Sequence, residues 1–158
     1  MSYIGRLLSA INLSSRTLRQ QMRYLRAEKP TGCSFCQLAN EPSSPRAREQ
    51  ILQRTQHFFV ADNLYGYALW DGSPVEDHLL LVPNRHIDTI SALDAAELAE
   101  WSQLARDYER RGYSLYARAA QNKAKSVTHQ HAHLVRVGDR PTHLRLTRHI
   151  ARIIFSKN

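Results

Sequence analysis

Ser126-Val127-Thr128-His129-Gln130-His131-Ala132-His133-Leu134-Val135 is the stretch on which the reading of this chain turns. The run Thr128–Val137 predicts a strand. On a strand, successive side chains point to opposite faces, so His129, His131 and His133 share one side while Gln130, Ala132 and Leu134 take the other. A single histidine on a strand is commonly a hydrogen-bonded packing residue. Three on one face present six ring nitrogens that need partners, and chance packing seldom supplies them. The pattern asks for a metal, an anion or a phosphorus centre open to attack.

Outward from this stretch, the polar loop Gln121–Ser126 joins it to a second predicted strand, Tyr113–Ala119. Asp94 with Glu97 three residues on marks a helix start, and Gly112 marks its end. Between them Leu98, Trp101, Leu104, Ala105 and Tyr108 form one apolar face. Strands are predicted at His57–Ala61, Tyr67–Trp70 and His78–Val82, the last ended by Pro83. Pro30, Gly32, Pro42 and Pro45 bracket Cys33-Ser34-Phe35-Cys36, which predicts a loop or one tight turn there. Two short helices are predicted at the N-terminus. Ile4, Leu7, Leu8 and Ile11 carry the first; Leu18, Met22 and Leu25, restarted at Ser14 or Ser15, carry the second. A last amphipathic helix is predicted from about His143 to Phe155. With no internal repeats, this element order reads as α+β.

The 158 residues suit one domain, and 42% apolar with 23% charged residues is a globular mixture. Two cysteines exclude a disulfide-stapled scaffold, and no apolar run reaches the length of a membrane span. The net charge of +8 is concentrated at the ends. Residues 1–29 and 136–158 each hold six Lys/Arg against one acid, while acids outnumber basic residues between them. Basic ends steer anionic partners, nucleic acid among them, but only Tyr24 and Phe155 stand between the basic residues, too few for the interleaving a single-strand groove requires. Solvated helix faces are therefore the preferred reading. The acid-free, Arg- and Ser-containing first 27 residues loosely resemble a mitochondrial transit peptide, with two retained helices as the competing reading. A cytoplasmic location is expected, or a mitochondrial one if the source is eukaryotic.

Cys33 and Cys36 form a C-x-x-C pair, a spacing from which zinc readily takes two thiolates. Two free thiols or a redox pair are the alternatives. The redox reading is poor, because no βαβ unit surrounds the pair.

Ser126-Val-x-His-x-His-x-His133 resembles the signature of the histidine triad (HIT) superfamily of nucleotide hydrolases and transferases. Asp71-Gly72-Ser73-Pro74-Val75 and His78-Leu79-Leu80-Leu81-Val82-Pro83-Asn84-Arg85-His86 resemble that superfamily's upstream block. The likeness spans about residues 30–137, giving an expected organisation of a basic helical extension (1–29), a HIT-like domain (30–137) and a basic C-terminal helix or tail (138–158). It implies an antiparallel half-barrel sheet with helices packed on it, and commonly a homodimer, for which an apolar stripe on helix 94–111 is a consistent surface. By resemblance, His131 attacks the α-phosphate of a nucleotide and His133 contacts that phosphate. Ser126 assists the phosphate region and the leaving group, Asp71 binds the ribose hydroxyls, and His78 supports the nucleotide site. The resemblance also implies that His86 and His129 complete a Cys33/Cys36 structural zinc site.

The substrates this implies are phosphoramidates, dinucleoside polyphosphates or adenylyl conjugates. Alternatives are an aprataxin-like removal of adenylate from nucleic-acid ends and a non-catalytic nucleotide- or zinc-binding module. Several residues depart from the family pattern. The loop Gln121-Asn122-Lys123-Ala124-Lys125 lacks glycine, Gln130 replaces an apolar residue, Arg136 stands in place of a usual proline, and Arg118 occupies a common asparagine position. Two lysines in that loop can supply point charges where backbone donors are usual, or favour a more anionic leaving group.

Overall fold

Phe58-Phe59-Val60-Ala61 and Leu79-Leu80-Leu81-Val82 are buried at every position, and they pair antiparallel at the centre of a sheet. Burial of both faces explains why these runs are continuously apolar rather than alternating. The computed structural model describes residues 16–27, 31–71 and 73–138. These fall into two compact units, the larger within Glu28–Leu64 and His78–Arg136, the smaller within Met1–Ala27, Tyr65–Asp77 and Val137–Asn158. The described helices are α1 (Leu18–Arg26), α2 (Ser34–Asn40), α3 (Pro45–Gln50) and α4 (Ala95–Arg110). The strands are β1 (Ile51–Arg54), β2 (Phe58–Asp62), β3 (Leu69–Trp70), β4 (Ser73–Pro83), β5 (Ser114–Ala117) and β6 (Ala132–Val137). They make an open antiparallel sheet of order β1-β2-β4-β6-β5, with β3 paired to β4 alone. The class is α+β.

In the larger unit, strand alternation sorts the core into two layers. Phe58, Val60, Leu79, Leu81, Ala132 and Leu134 pack with Leu104 and Tyr108 of α4. Phe59, Ala61, Leu80 and Val82 pack with Phe35 and Leu38 of α2 and Ala47 of α3. His78 and His133 alternate with the first set, so both lie on the α2 side of the sheet.

Helix α4 starts at Asp94 through a reciprocal capping box with Glu97, and Gly112 beyond its end takes φ 84°, a left-handed conformation that suits glycine. Its apolar face is narrower than the spacing predicts. Leu104 and Tyr108 are buried and Trp101 half-buried, whereas Leu98 is exposed, because buried Glu97 takes the inward place beside it.

Other elements differ from expectation too. Cys33–Cys36 is not a loop: Cys33 caps α2, whose Phe35 and Leu38, three residues apart, are buried. A helix of seven residues is too short to show a period. Helix α3, with Ser44 as cap and Pro45 in its first turn, and strand β1 are unforeseen, though Ser-Pro is an ordinary helix start. The strand expected at 128–137 begins only at Ala132. Residues 128–131 leave the ladder, and the Gln130 N–H donates to the Ile87 carbonyl at 2.6 Å instead. β5 is likewise shorter than 113–119, whereas β4 starts earlier, at Ser73.

In the smaller unit, α1 is capped by Thr17 and Gln20 rather than by Ser14 or Ser15. Part of the expected apolar stripe does not face inward. Met22 and Leu25 are exposed, and Gln21 is buried. Arg16 donates twice to the Tyr65 carbonyl and lies over the rings of Tyr24 and Tyr67, and Tyr67 stacks on Trp70. The β3–β4 hairpin turns at Asp71, at φ 49°. Aspartate tolerates this region better than most residues. The helices predicted near residues 4–11 and 143–155 lie outside the described residues. Among the described residues no helix is long and apolar enough to cross a membrane.

Candidate active site and metal centre

Cys33 and Cys36 at the start of α2, His86 just past β4 and His129 just before β6 converge, with all four ligand atoms within 4.8 Å of one another. Cys33 Sγ lies 3.4 Å and Cys36 Sγ 3.5 Å from His129 Nδ1, and Cys36 Sγ lies 3.2 Å from His86 Nδ1. Tetrahedral zinc, with Zn–S about 2.3 Å and Zn–N about 2.0–2.1 Å, sets neighbouring sulfur and nitrogen ligands about 3.5 Å apart. The donor set therefore fits zinc.

The far ring nitrogens fit as well. His129 Nε2 donates to the Pro83 carbonyl at 3.0 Å, leaving the Nδ1 lone pair aimed at the cysteines, and His86 Nε2 lies 3.3 Å from Asp88 Oδ1. Metal-binding histidines characteristically have such outer partners. Burial holds His129 down to about pKa 4, so its ring is the neutral form a metal requires. Burial, with the Cys33 thiol beside it, pushes Cys36 up to about 11. A bound dication reverses that preference by stabilising thiolate.

His131 follows directly. A carbonyl can only accept, so the 2.8 Å contact from His131 Nδ1 to the His129 carbonyl fixes the hydrogen on Nδ1 and the lone pair on Nε2. Desolvation keeps its pKa below the ordinary imidazole value, against that hydrogen bond and with help from the charges of Lys125 and Arg118. Phe35, between the two cysteines, meets both His129 and His131 edge-on, at 5.7 and 5.1 Å. His133 lies 5.1 Å from His131, ring to ring, and its Nδ1 is 2.9 Å from His78 Nε2. Asn63, which follows β2, contacts the same His78 nitrogen at 3.1 Å. Across the β5–β6 pair, the ring of Tyr116 stacks on His133 at 6.0 Å. The result is two joined clusters: a Cys2His2 cage, and a row of buried imidazoles whose first member is oriented by a cage residue.

Among solved structures, a Zn-bound histidine triad family protein from Mycobacterium smegmatis is similar at TM-score 0.52 and 15% identity, covering 71% of this chain and 81% of that one. A HIT family protein from Bacillus anthracis matches at 0.51 and 17%, covering 82% of this chain and 100% of that one. A HIT family hydrolase from Clostridium thermocellum matches at 0.50 and 18%, covering 70% and 95%. The fold is that of the histidine triad proteins. No family model and no curated protein matches the chain by sequence.

Within the histidine triad fold, the residues singled out from sequence separate into groups. Cys33, Cys36, His86 and His129 meet, and His131, His133 and His78 meet. Ser126 is exposed, and no hydrogen bond joins it to the histidines among the described residues. Asp71 belongs to the smaller unit, where its backbone makes a hairpin turn. Phe35, Asn63 and Tyr116 have no signal of their own in the sequence, since each acquires its place through strand register or helix docking.

Proposed function

We propose that the chain is a histidine triad nucleotide hydrolase or nucleotidyl transferase in which His131 Nε2 attacks the α-phosphorus of a nucleotide, forming a nucleotidyl-histidine intermediate. The observation that supports it best is the orientation of His131: its Nδ1–H rests on the His129 carbonyl at 2.8 Å, which leaves Nε2 unprotonated. Burial maintains the neutral ring, which is the nucleophilic form. His133, held by His78, is assigned the contact to the same phosphate. Ser126 is assigned the phosphate region and the leaving group, and Asp71 the ribose.

Cys33, Cys36, His86 and His129 are the residues that would hold zinc. Four protein ligands leave no open coordination position, so the metal supplies structure rather than chemistry. Homodimerisation and a cytoplasmic location belong to the same reading. The similar hydrolase from Clostridium thermocellum supports its catalytic part.

Incubation with a panel of labelled adenylyl and guanylyl compounds, followed by mass spectrometry of the protein, tests it. A nucleotidyl adduct mapped to His131 is expected. An adduct elsewhere, or none with any compound, overturns the reading.

A further inference from the structure

Two cations beside these histidines, whose charges help keep His131 neutral, have no assigned contact with substrate. Lys125 ends the loop that precedes Ser126, and its Nζ donates to the Asp88 carbonyl at 2.8 Å and to Gln130 Oε1 at 2.9 Å. Gln130 is itself buried and adjacent to His131. Both acceptor atoms are neutral and the Asp88 carboxylate acts on the ammonium only through its nearby charge, so a third N–H remains on it. Arg118, just past β5, lies 5.3 Å over the Tyr116 ring and donates to its hydroxyl at 3.4 Å. The same ring stacks on His133. The lysine is thus anchored to the residue before His131, and the arginine to the ring that backs His133.

We propose that Lys125 and Arg118 select a phosphate leaving group, so that the bond cleaved is a phosphoanhydride rather than a phosphoramidate. The inference rests on the nucleotidyl-histidine reading and adds the substrate class to it. In the first step the His131 Nε2 lone pair forms the bond to the α-phosphorus. The bond from that phosphorus to the bridging oxygen breaks, and its electron pair leaves with the oxygen as a terminal phosphate oxygen. In the second, water adds through its oxygen as the P–N bond breaks. Its proton passes to solvent, and His131 and the nucleoside monophosphate are released.

A departing phosphate is a stable anion that needs only charge compensation. A departing amine needs a proton, which a guanidinium does not give up near neutral pH. Two cations anchored next to His131 and His133 would therefore favour the anionic leaving group. The phosphate can belong to a small dinucleoside polyphosphate or to the 5′ end of an adenylylated oligonucleotide.

The test measures kcat/KM for diadenosine tetraphosphate, a 5′-adenylylated oligonucleotide and adenosine phosphoramidate, on the full chain and on Lys125→Met, Lys125→Arg and Arg118→Met. The wild type is expected to favour at least one phosphoanhydride over the phosphoramidate by tenfold or more. The faster of the two identifies the source of the phosphate. Each methionine variant should lower that preference at least tenfold, and Lys125→Arg should restore most of it. A wild-type preference for the phosphoramidate overturns the proposal. So does a loss on all substrates in step, with the ratio unchanged, because that is the result of a purely structural lysine. If an adduct on His131 still forms in those cases, only the leaving-group assignment falls. If no adduct forms with any substrate, the nucleotide reading falls and takes this inference with it.

Discussion

His129 serves two groups at once. Its ring closes the cysteine cage, while its backbone carbonyl takes the Nδ1–H of His131 and so decides which nitrogen of that ring is free. Substitutions in this row should therefore fail in different ways. His131→Asn should keep nucleotide affinity within about tenfold, roughly 1.4 kcal/mol. It should lower kcat on the order of 10³- to 10⁶-fold, as expected for loss of a nucleophile. His129→Ala should instead show reduced metal content and a lower melting temperature. Single-turnover kinetics beside elemental analysis separates the two. Wild-type turnover in His131→Asn, with activity abolished in His133→Asn, would move the nucleophile to His133.

At the scale of the element, α4 is fixed by a carboxylate with three duties. Glu97 accepts from the Asp94 N–H at 2.8 Å, closing the capping box, and receives Arg85 Nε and Nη2 at 2.6 Å each. Arg85 immediately precedes the cage residue His86, so this pair ties the helix start to the Cys2His2 cluster. The Arg85 guanidinium holds the Glu97 carboxyl down at about pKa 2, against the opposing effect of burial, from an ordinary value of 4.5. A depressed folded-state value means that the contribution is complete above about pH 4.5 and is lost as pH falls toward 2. Melting temperatures between pH 6 and 2.5 should therefore fall less steeply for Glu97→Gln than for the wild type. Near pH 7, Glu97→Gln should cost about 2 kcal/mol, as for a hydrogen bond to a charged group. Asp94→Ala should cost about 1 kcal/mol as a lost cap. Equal acid slopes in wild type and Glu97→Gln would remove the pair from the stability of this helix.

For the whole molecule, the cage ties together three places distant in sequence: the start of α2, the end of β4 and the approach to β6. Closing long loops is where a metal clip stabilises most. The protein as isolated should contain about one zinc per chain, matching one four-ligand site. Chelation should lower the melting temperature by on the order of 10 °C. Activity at 25 °C should fall less, because His131 keeps its own packing against Phe35. Elemental analysis finding no metal in protein never exposed to chelator, with both thiols freely reactive, would remove zinc from the account.

What the amino-acid sequence determined by itself is what depends on near neighbours. The capping box at Asp94 and Glu97 is local hydrogen bonding, the stop at Gly112 is local backbone freedom, and the central strands are continuous apolar runs. The α+β class follows from their order, and the chemical types of the candidate site follow from the histidines and the C-x-x-C pair. The extent of β6 was not legible in this way. A strand reading of 128–137 aligns three histidines on one face, but the Gln130 N–H is taken by Ile87, a residue 43 positions away. Only that long-range bond turns His129 into the cage and leaves His131 and His133 beside each other. The same holds for Leu98, displaced outward by Glu97, and for Cys33–Cys36, helical because Phe35 and Leu38 have a sheet to bury against. Lys125 and Arg118 stand in the sequence as departures from a pattern, and only long-range contacts of the folded chain bring them near the imidazoles. Local propensities are set within a few residues, whereas the partner of a buried polar group is set by whatever the closed sheet brings to it.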